Sequence, residues 1–141
     1  LGDPAAAAPL YERSVALREQ MVASDPSDER ARSRLLVARI KLAYCYFPLG
    51  RRAAAARLLD LAEPDLADPV GRPVESWRLV ERARVHALRA DLAPPVRRCA
   101  HLRAAAGIWE TFQAREPVEG TNAIMRQEIL TALGQCQDSR R

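Results

Sequence analysis

Residues 35 to 62 read Leu35-Leu36-Val37-Ala38-Arg39-Ile40-Lys41-Leu42-Ala43-Tyr44-Cys45-Tyr46-Phe47-Pro48-Leu49-Gly50-Arg51-Arg52-Ala53-Ala54-Ala55-Ala56-Arg57-Leu58-Leu59-Asp60-Leu61-Ala62. The stretch up to Phe47 is apolar on most faces of a helix, so that helix is expected to be covered on more than one side. Leu49-Gly50 ends it, because glycine takes the left-handed cap without a side-chain penalty. A second helix then opens with four alanines, which let two backbones come close, and Leu58, Leu59 and Leu61 fill what remains. The start of the first helix is placed upstream, at Asp25-Pro26-Ser27-Asp28-Glu29. There Asp25 offers an N-cap oxygen and Pro26 tolerates the first helical position. Asp28 and Glu29 favour the positive end of the helix dipole. Residues 27 to 62 therefore read as an antiparallel helical hairpin.

Ala43, Tyr46, Gly50, Ala55, Leu59 and Ala62 are spaced 3, 4, 5, 4 and 3 apart. That spacing resembles the small, aromatic, Gly, Ala, large, Ala signature of a tetratricopeptide repeat. Small residues in such a signature sit where two helices touch, the large one plugs the gap to the next pair, and the Gly makes the corner. A shift of 48 residues sets Gly2, Ala7, Tyr11 and Ser14 where Gly50, Ala55, Leu59 and Ala62 stand. Asp25-Pro26 then falls where the family closes a repeat. This spacing exceeds the family's usual 34 or so, and is similar to the long-helix form of kinesin light chains and of the tails of some bacterial serine/threonine kinases. The resemblance covers roughly residues 2 to 62. It implies an all-α fold of antiparallel helical hairpins stacked as a right-handed superhelix. It also implies a concave groove that receives an extended peptide or a partner helix.

The flanking sequence extends the helical pattern. Residues 3 to 23 read as a helix with Ala7, Tyr11, Ser14, Leu17 and Met21 inward. Pro9 costs about 3 kcal/mol inside a helix, so a start near Pro9 is expected. Residues 63 to 73 hold three prolines, a glycine and three acids, and form a connector with one short turn around 64–67. Its acids match no Ca²⁺ loop. Residues 74–92 form a helix with Trp77, Val80, Ala83, Ala87 and Leu88 inward. Arg78, Glu81, Arg82, Arg84, Arg89 and Asp91 make its wet face, with Arg78–Glu81 and Glu81–Arg84 pairs. After Pro94-Pro95, residues 96–115 return as a helix with Val96, Cys99, Leu102, Ala105, Ala106, Trp109 and Phe112 inward. Thr121 caps a last helix to Gln137, with a stripe of Met125, Ile129, Ala132 and Cys136, and Asp138 to Arg141 frays. The total is about six helices and no strand.

A chain of 141 residues fits a single domain, 1–141, and its start at Leu1 in mid-repeat reads as a fragment of a longer protein. Of 22 basic side chains only Lys41 is a lysine, which together with abundant alanine reflects a GC-rich coding genome more than a function. No apolar run approaches the length of a membrane span. Cys45, Cys99 and Cys136 are odd in number and far apart, each on an apolar stripe. Reduced, buried thiols and a cytoplasmic location are the expectation.

Chemistry-bearing patterns are sparse. The glycines form neither a phosphate loop nor a dinucleotide fingerprint. Cys99 and His101 are two apart on a helix and face different ways, which argues against zinc and against a nucleophile pair. Glu12, Glu81 and Glu110 stand beside arginines as solvated charges. No catalytic residue, metal site or cofactor is expected, and the chain does not read as an enzyme. Binding remains. The resemblance implies that Val37, Lys41 and Tyr44, spaced 4 and 3 on one helix stripe, face the groove. Tyr44 is equally accounted for by core packing, and Lys41 by solvent. Ile40 and Tyr44 occupy the positions where the family's carboxylate clamp needs Lys and Asn, so a clamp for a C-terminal carboxylate is not implied. The expected role is a protein–protein interaction module, a scaffold or sensor region of a larger bacterial signalling protein. Two alternatives stand beside it. One is nucleic-acid binding through Arg51-Arg52, Arg97-Arg98 and Arg140-Arg141, against which 18 interspersed acids argue. The other is a purely dimerising domain, because apolar end faces of helical repeats invite a homodimer.

Overall fold

A computed structural model describes residues 2–68, 71 and 73–138. Pro69, Val70 and Arg72 of the connector and the tail 139–141, with its Arg140-Arg141 pair, lie outside the described residues. Among those described, the chain is all-α: α1 (Pro4–Ser24), α2 (Glu29–Tyr46), α3 (Arg52–Ala62), α4 (Ser76–Leu92), α5 (Pro95–Gln113) and α6 (Gly120–Asp138). A single 3₁₀ turn, Glu63–Leu66, follows α3 within the connector. The chain divides into two compact units, Leu1–Ala67 and Asp68–Arg141.

In the first unit α2 packs against both α1 and α3. The expected hairpin is present, and its seam is built from the small residues of the repeat-like signature. Ala43, Ala55, Leu59 and Ala62 have no exposed surface, and Leu36 and Ile40 are equally sealed. A Cβ is the only side-chain atom at three of those seam positions, so the helix axes approach closely and the larger Leu59 fills the hollow. The corner is a Schellman motif. The Arg51 amide donates to the Tyr46 carbonyl at 3.0 Å and the Gly50 amide to the Phe47 carbonyl at 3.1 Å. Gly50 stands at φ 75°, in the left-handed region.

Two boundaries differ from the sequence reading. The cap of α2 is Asp28, whose Oδ1 accepts from the Ala31 amide at 2.9 Å. Asp25 instead closes an Asx turn, its Oδ1 accepting from the amide and the hydroxyl of Ser27. Helix α1 starts at Pro4, capped by Asp3, and carries Pro9 inside. The lost amide would have met the carbonyl of Ala5, and both residues are exposed, so water reaches that carbonyl. Ala5 to Ala8 supply the best helix propensity available and offset the defect. The inward face of α1 is also turned from the expected one. Ala8 and Val15 are buried, while Leu17 and Met21 are 61% and 50% exposed.

In the second unit α5 packs against α4 and α6. Its core joins Leu79, Val80, Ala83, Leu102, Ala105, Trp109, Phe112 and Ile129. Trp109 and Phe112 meet edge to face, centroids 5.4 Å apart. Val96 departs from the expected inward set and is 85% exposed, being in the first turn after Pro94-Pro95. Trp77 is half-buried, with the Arg78 guanidinium 4.8 Å from its ring centre. Glu81 is buried, not on the wet face, and its partner Arg84 lies 2.9 Å away. Arg78 pairs with Glu75 instead of Glu81.

Cys99 and Cys136 form a disulfide, with Cα atoms 5.8 Å apart. This corrects the expectation of separate reduced thiols. Both residues lie on the inward stripes of α5 and α6, and once those helices pack the stripes meet. Cys45 remains a buried free thiol whose ionisation burial pushes upward, so it is chemically quiet.

The corner and the cross-link each give an expectation. No atom lies within 4 Å of a Cβ built on Gly50, so Gly50→Ala meets only backbone strain. It should lower stability by about 1–2 kcal/mol in denaturant melts followed by circular dichroism. The disulfide spans 37 residues, and its reduction should remove about 3–4 kcal/mol by the loop-closure relation. Trp77 and Trp109 are the two tryptophans and both lie in the second unit. A tryptophan-fluorescence melt with and without dithiothreitol therefore reads this loss directly; coincident melts would refute the bond.

Candidate functional site

The groove residues expected from the sequence lie on α2 as one stripe. Val37 is half-buried, Lys41 is exposed, and Tyr44 keeps 38% of its surface. Tyr44 is thus not a sealed core residue. Ile40, by contrast, has no exposed surface. The remaining faces of α2 are closed by nine buried residues, among them Leu35, Leu36, Leu42 and Ala43. The stripe presents one aliphatic, one cationic and one phenolic group, which suits a contact surface and supplies no acid–base pair.

On the opposite face of α2, toward α1, stands a polar cluster that the sequence did not reveal. The Tyr46 hydroxyl donates to Glu12 Oε1 at 2.6 Å, and Arg51 Nη1 donates to the same oxygen at 3.0 Å. The Arg51 guanidinium also lies 4.2 Å from the Tyr46 ring centre, so the aromatic of the hairpin corner is clamped on two sides. The Tyr46 hydrogen bond, and after it that of Arg51, hold the Glu12 carboxyl below the usual carboxylate range. Burial, and after it the Glu12 hydrogen bond, push the Tyr46 phenol above its usual value. The cluster joins positions 34 and 39 residues apart. No local spacing could have announced it, and Glu12 read as a solvated charge.

Arg39, two turns earlier on the same face of α2, plays a similar part. Its Nη2 reaches Glu19 at 3.0 Å on α1, and its Nη1 reaches the Leu61 carbonyl at 3.3 Å on α3. One half-buried guanidinium thereby satisfies a helix-end carbonyl and ties three helices.

In the second unit the two imidazoles meet. His86 Nδ1 lies 3.3 Å from His101 Nδ1, with ring centroids 5.6 Å apart. The two ring nitrogens lie within hydrogen-bond distance, and the contact joins α4 to α5. His101 is half-buried, and Cys99 is committed to its disulfide and offers no thiolate. Among the described residues no three His, Cys, Asp or Glu side chains are grouped to hold a metal ion. A shallow open trough runs along α6 past Ala123, Ile124, Gln127, Glu128 and Thr131, with Glu128 its one ionisable group among these. Among the described residues no helix is long and apolar enough to cross a membrane.

Of the four described arginines in the basic pairs expected to attract nucleic acid, Arg97 is exposed and the other three are engaged internally. Arg51 holds Glu12, Arg52 lies 5.1 Å from the Phe47 ring centre, and Arg98 reaches Asp91 at 3.2 Å. Comparison with protein-family models, characterised proteins and solved structures finds no match to this chain.

The cluster gives a pH prediction. Glu12 titrates lower in the folded state, so its contribution is complete above the ordinary carboxylate range and is lost as pH falls through the depressed value. Tyr46→Phe should cost about 1 kcal/mol at neutral pH, and the gap to wild type should narrow at acid pH. A gap that stays constant between neutral and acid urea melts would remove the Glu12–Tyr46 bond from the account.

Proposed function

We propose that this chain is a protein–protein interaction module of tetratricopeptide-like build, taking an extended peptide or a partner helix along α2. One observation carries the reading. Ala43, Ala55, Leu59 and Ala62 are fully buried around a left-handed Gly50, while Val37, Lys41 and Tyr44 on α2 stay partly open. This is the division of labour that stacked helical repeats use, with a small-residue seam inside and a side-chain stripe left for a ligand. Val37 and the Tyr44 ring would bury apolar surface, and Lys41 would pair with an acidic group on the peptide. Stacking of the hairpins into a right-handed superhelix belongs to this proposal. So does a place within a larger bacterial signalling protein, where a kinase domain in the same reading frame would make the chain its regulatory tail. Reduced, separate thiols would have supported a cytoplasmic location. The Cys99–Cys136 bond removes that support, and the proposal carries no compartment.

A library of randomised short peptides displayed on phage and selected on the full chain tests the reading. Enriched sequences should carry an acidic residue and should lose at least about tenfold in affinity for the Lys41→Glu, Tyr44→Ala double variant. Because Lys41 is the sole lysine, a bound peptide should also slow its labelling by an amine-reactive reagent. Peptides that bind wild type and double variant equally would sink the assignment of this stripe.

A further inference from the structure

Helix α1 is apolar on two opposite faces. Ala8 and Val15 are buried on the side toward α2. On the other side Leu10, Leu17 and Met21 are 61%, 61% and 50% exposed. A lone exposed leucine needs no explanation, but these three fall on one stripe that runs about three turns of the helix. With Ser14 between them, positions 10, 14, 17 and 21 alternate by four, three and four, which is the seam spacing of two helices packed side by side.

The charges of α1 specify what covers this seam. Its two acids, Glu12 and Glu19, lie on the inner face, where Tyr46 and Arg51 hold the first and Arg39 the second. Its outer edges carry arginine. Arg13 borders the stripe on one side and is exposed; Arg18 borders it on the other. Arg18 Nε donates to Ser14 Oγ at 3.1 Å, which lays that guanidinium along the seam. Neither arginine makes an ion pair among the described residues. The outer face is therefore an apolar stripe with an unneutralised cation on each edge.

We infer that this face docks an amphipathic helix of a partner protein, with an apolar seam of its own and acidic side chains on both edges. The partner's apolar residues would cover Leu10, Leu17 and Met21, and its carboxylates would meet Arg13 and Arg18. A second copy of the chain fits this face less well. It brings the same two arginines and no free acid, so a parallel pairing in register sets Arg13 beside the second copy's Arg18. An antiparallel one offers Arg13 only the neutral Gln20. Charge complementarity thus selects the partner. The surface lies on α1, so this inference is independent of the reading placed on the α2 stripe.

Two designed helical peptides of about 18 residues test it, long enough to hold a helix when cross-linked. Both carry a leucine seam; one has glutamates along its edges and the other lysines. Fluorescence anisotropy of each, titrated with the full chain, should show the glutamate peptide binding at least about tenfold more tightly. That preference should shrink as salt is raised. Leu17→Glu should abolish binding of the glutamate peptide, and the Arg13→Glu, Arg18→Glu double variant should reverse the preference. The Lys41→Glu, Tyr44→Ala variant should bind as wild type does, which keeps this surface distinct from the α2 stripe. Circular dichroism checks that each variant stays helical. Equal binding of the two peptides, or none of either, overturns the inference. So does sedimentation showing that the chain pairs with itself through Leu17, since a second copy then occupies the face.

Discussion

The first unit depends on how closely α2 and α3 approach. Ala43, Ala55 and Ala62 leave no surface exposed, so at those points the distance between the helices is set by backbone and Cβ atoms alone. A seam this tight tolerates little error in the turn that precedes it, because a small change of exit angle at Gly50 would be magnified along the length of α3. The left-handed Gly50 and the paired amides of Gly50 and Arg51 fix that angle. The Arg51 guanidinium, folded over the Tyr46 ring, stands where other helix ends of this type place an apolar contact. Seam and corner are therefore one constraint, and the open stripe of Val37, Lys41 and Tyr44 is what α2 has left once it is met.

Polar side chains then settle how α1 lies on that hairpin. Apolar burial on α1 is thin, with Ala8 and Val15 its buried residues. Two arginines compensate by reaching across helices: Arg39 to Glu19 and the Leu61 carbonyl, and Arg51 to Glu12. Individually such exposed pairs contribute little. Their value here is directional, since each joins α1 to a different part of the hairpin. The Tyr46 hydroxyl bond to Glu12 is the more protected of these ties because the phenol is buried. By holding Glu12 and Val15 inward, these contacts turn Leu10, Leu17 and Met21 outward. They also draw both acids of α1 to the inner face and leave its outer edges to arginine.

The second unit solves the same problem with aromatic bulk and a covalent bond. Trp109 and Phe112 fill the space between the helices, and Ala105 and Ala106 let α4 and α6 close around them. Cys99 and Cys136 then lock α5 to α6, and the His86–His101 contact joins α5 to α4. A unit of this size gains much from a cross-link that spans roughly half of it.

Periodicity and punctuation made the helices legible. Gly50, Pro94-Pro95, Pro117 and the connector prolines marked where helices stop, and helical spacing assigned most of the buried residues of α5 and α6, with Val96 the exception; on α3, Leu61, expected to fill the seam beside Leu59, is 52% exposed. These features follow from local rules, since a stripe at helical spacing and a missing amide act within a few residues of chain. Distance in sequence decided the rest. Which face of α1 is buried depends on Arg39 and Tyr46, residues 20 and 34 positions from their partners on α1. Three cysteines on three apolar stripes do not say which two stripes meet, and only the packing of α5 on α6 sets Cys99 against Cys136. The candidate stripe of α2 was readable as a face, but its openness was not. Exposure is a property of everything that packs nearby, and no single helix carries that information in its own sequence.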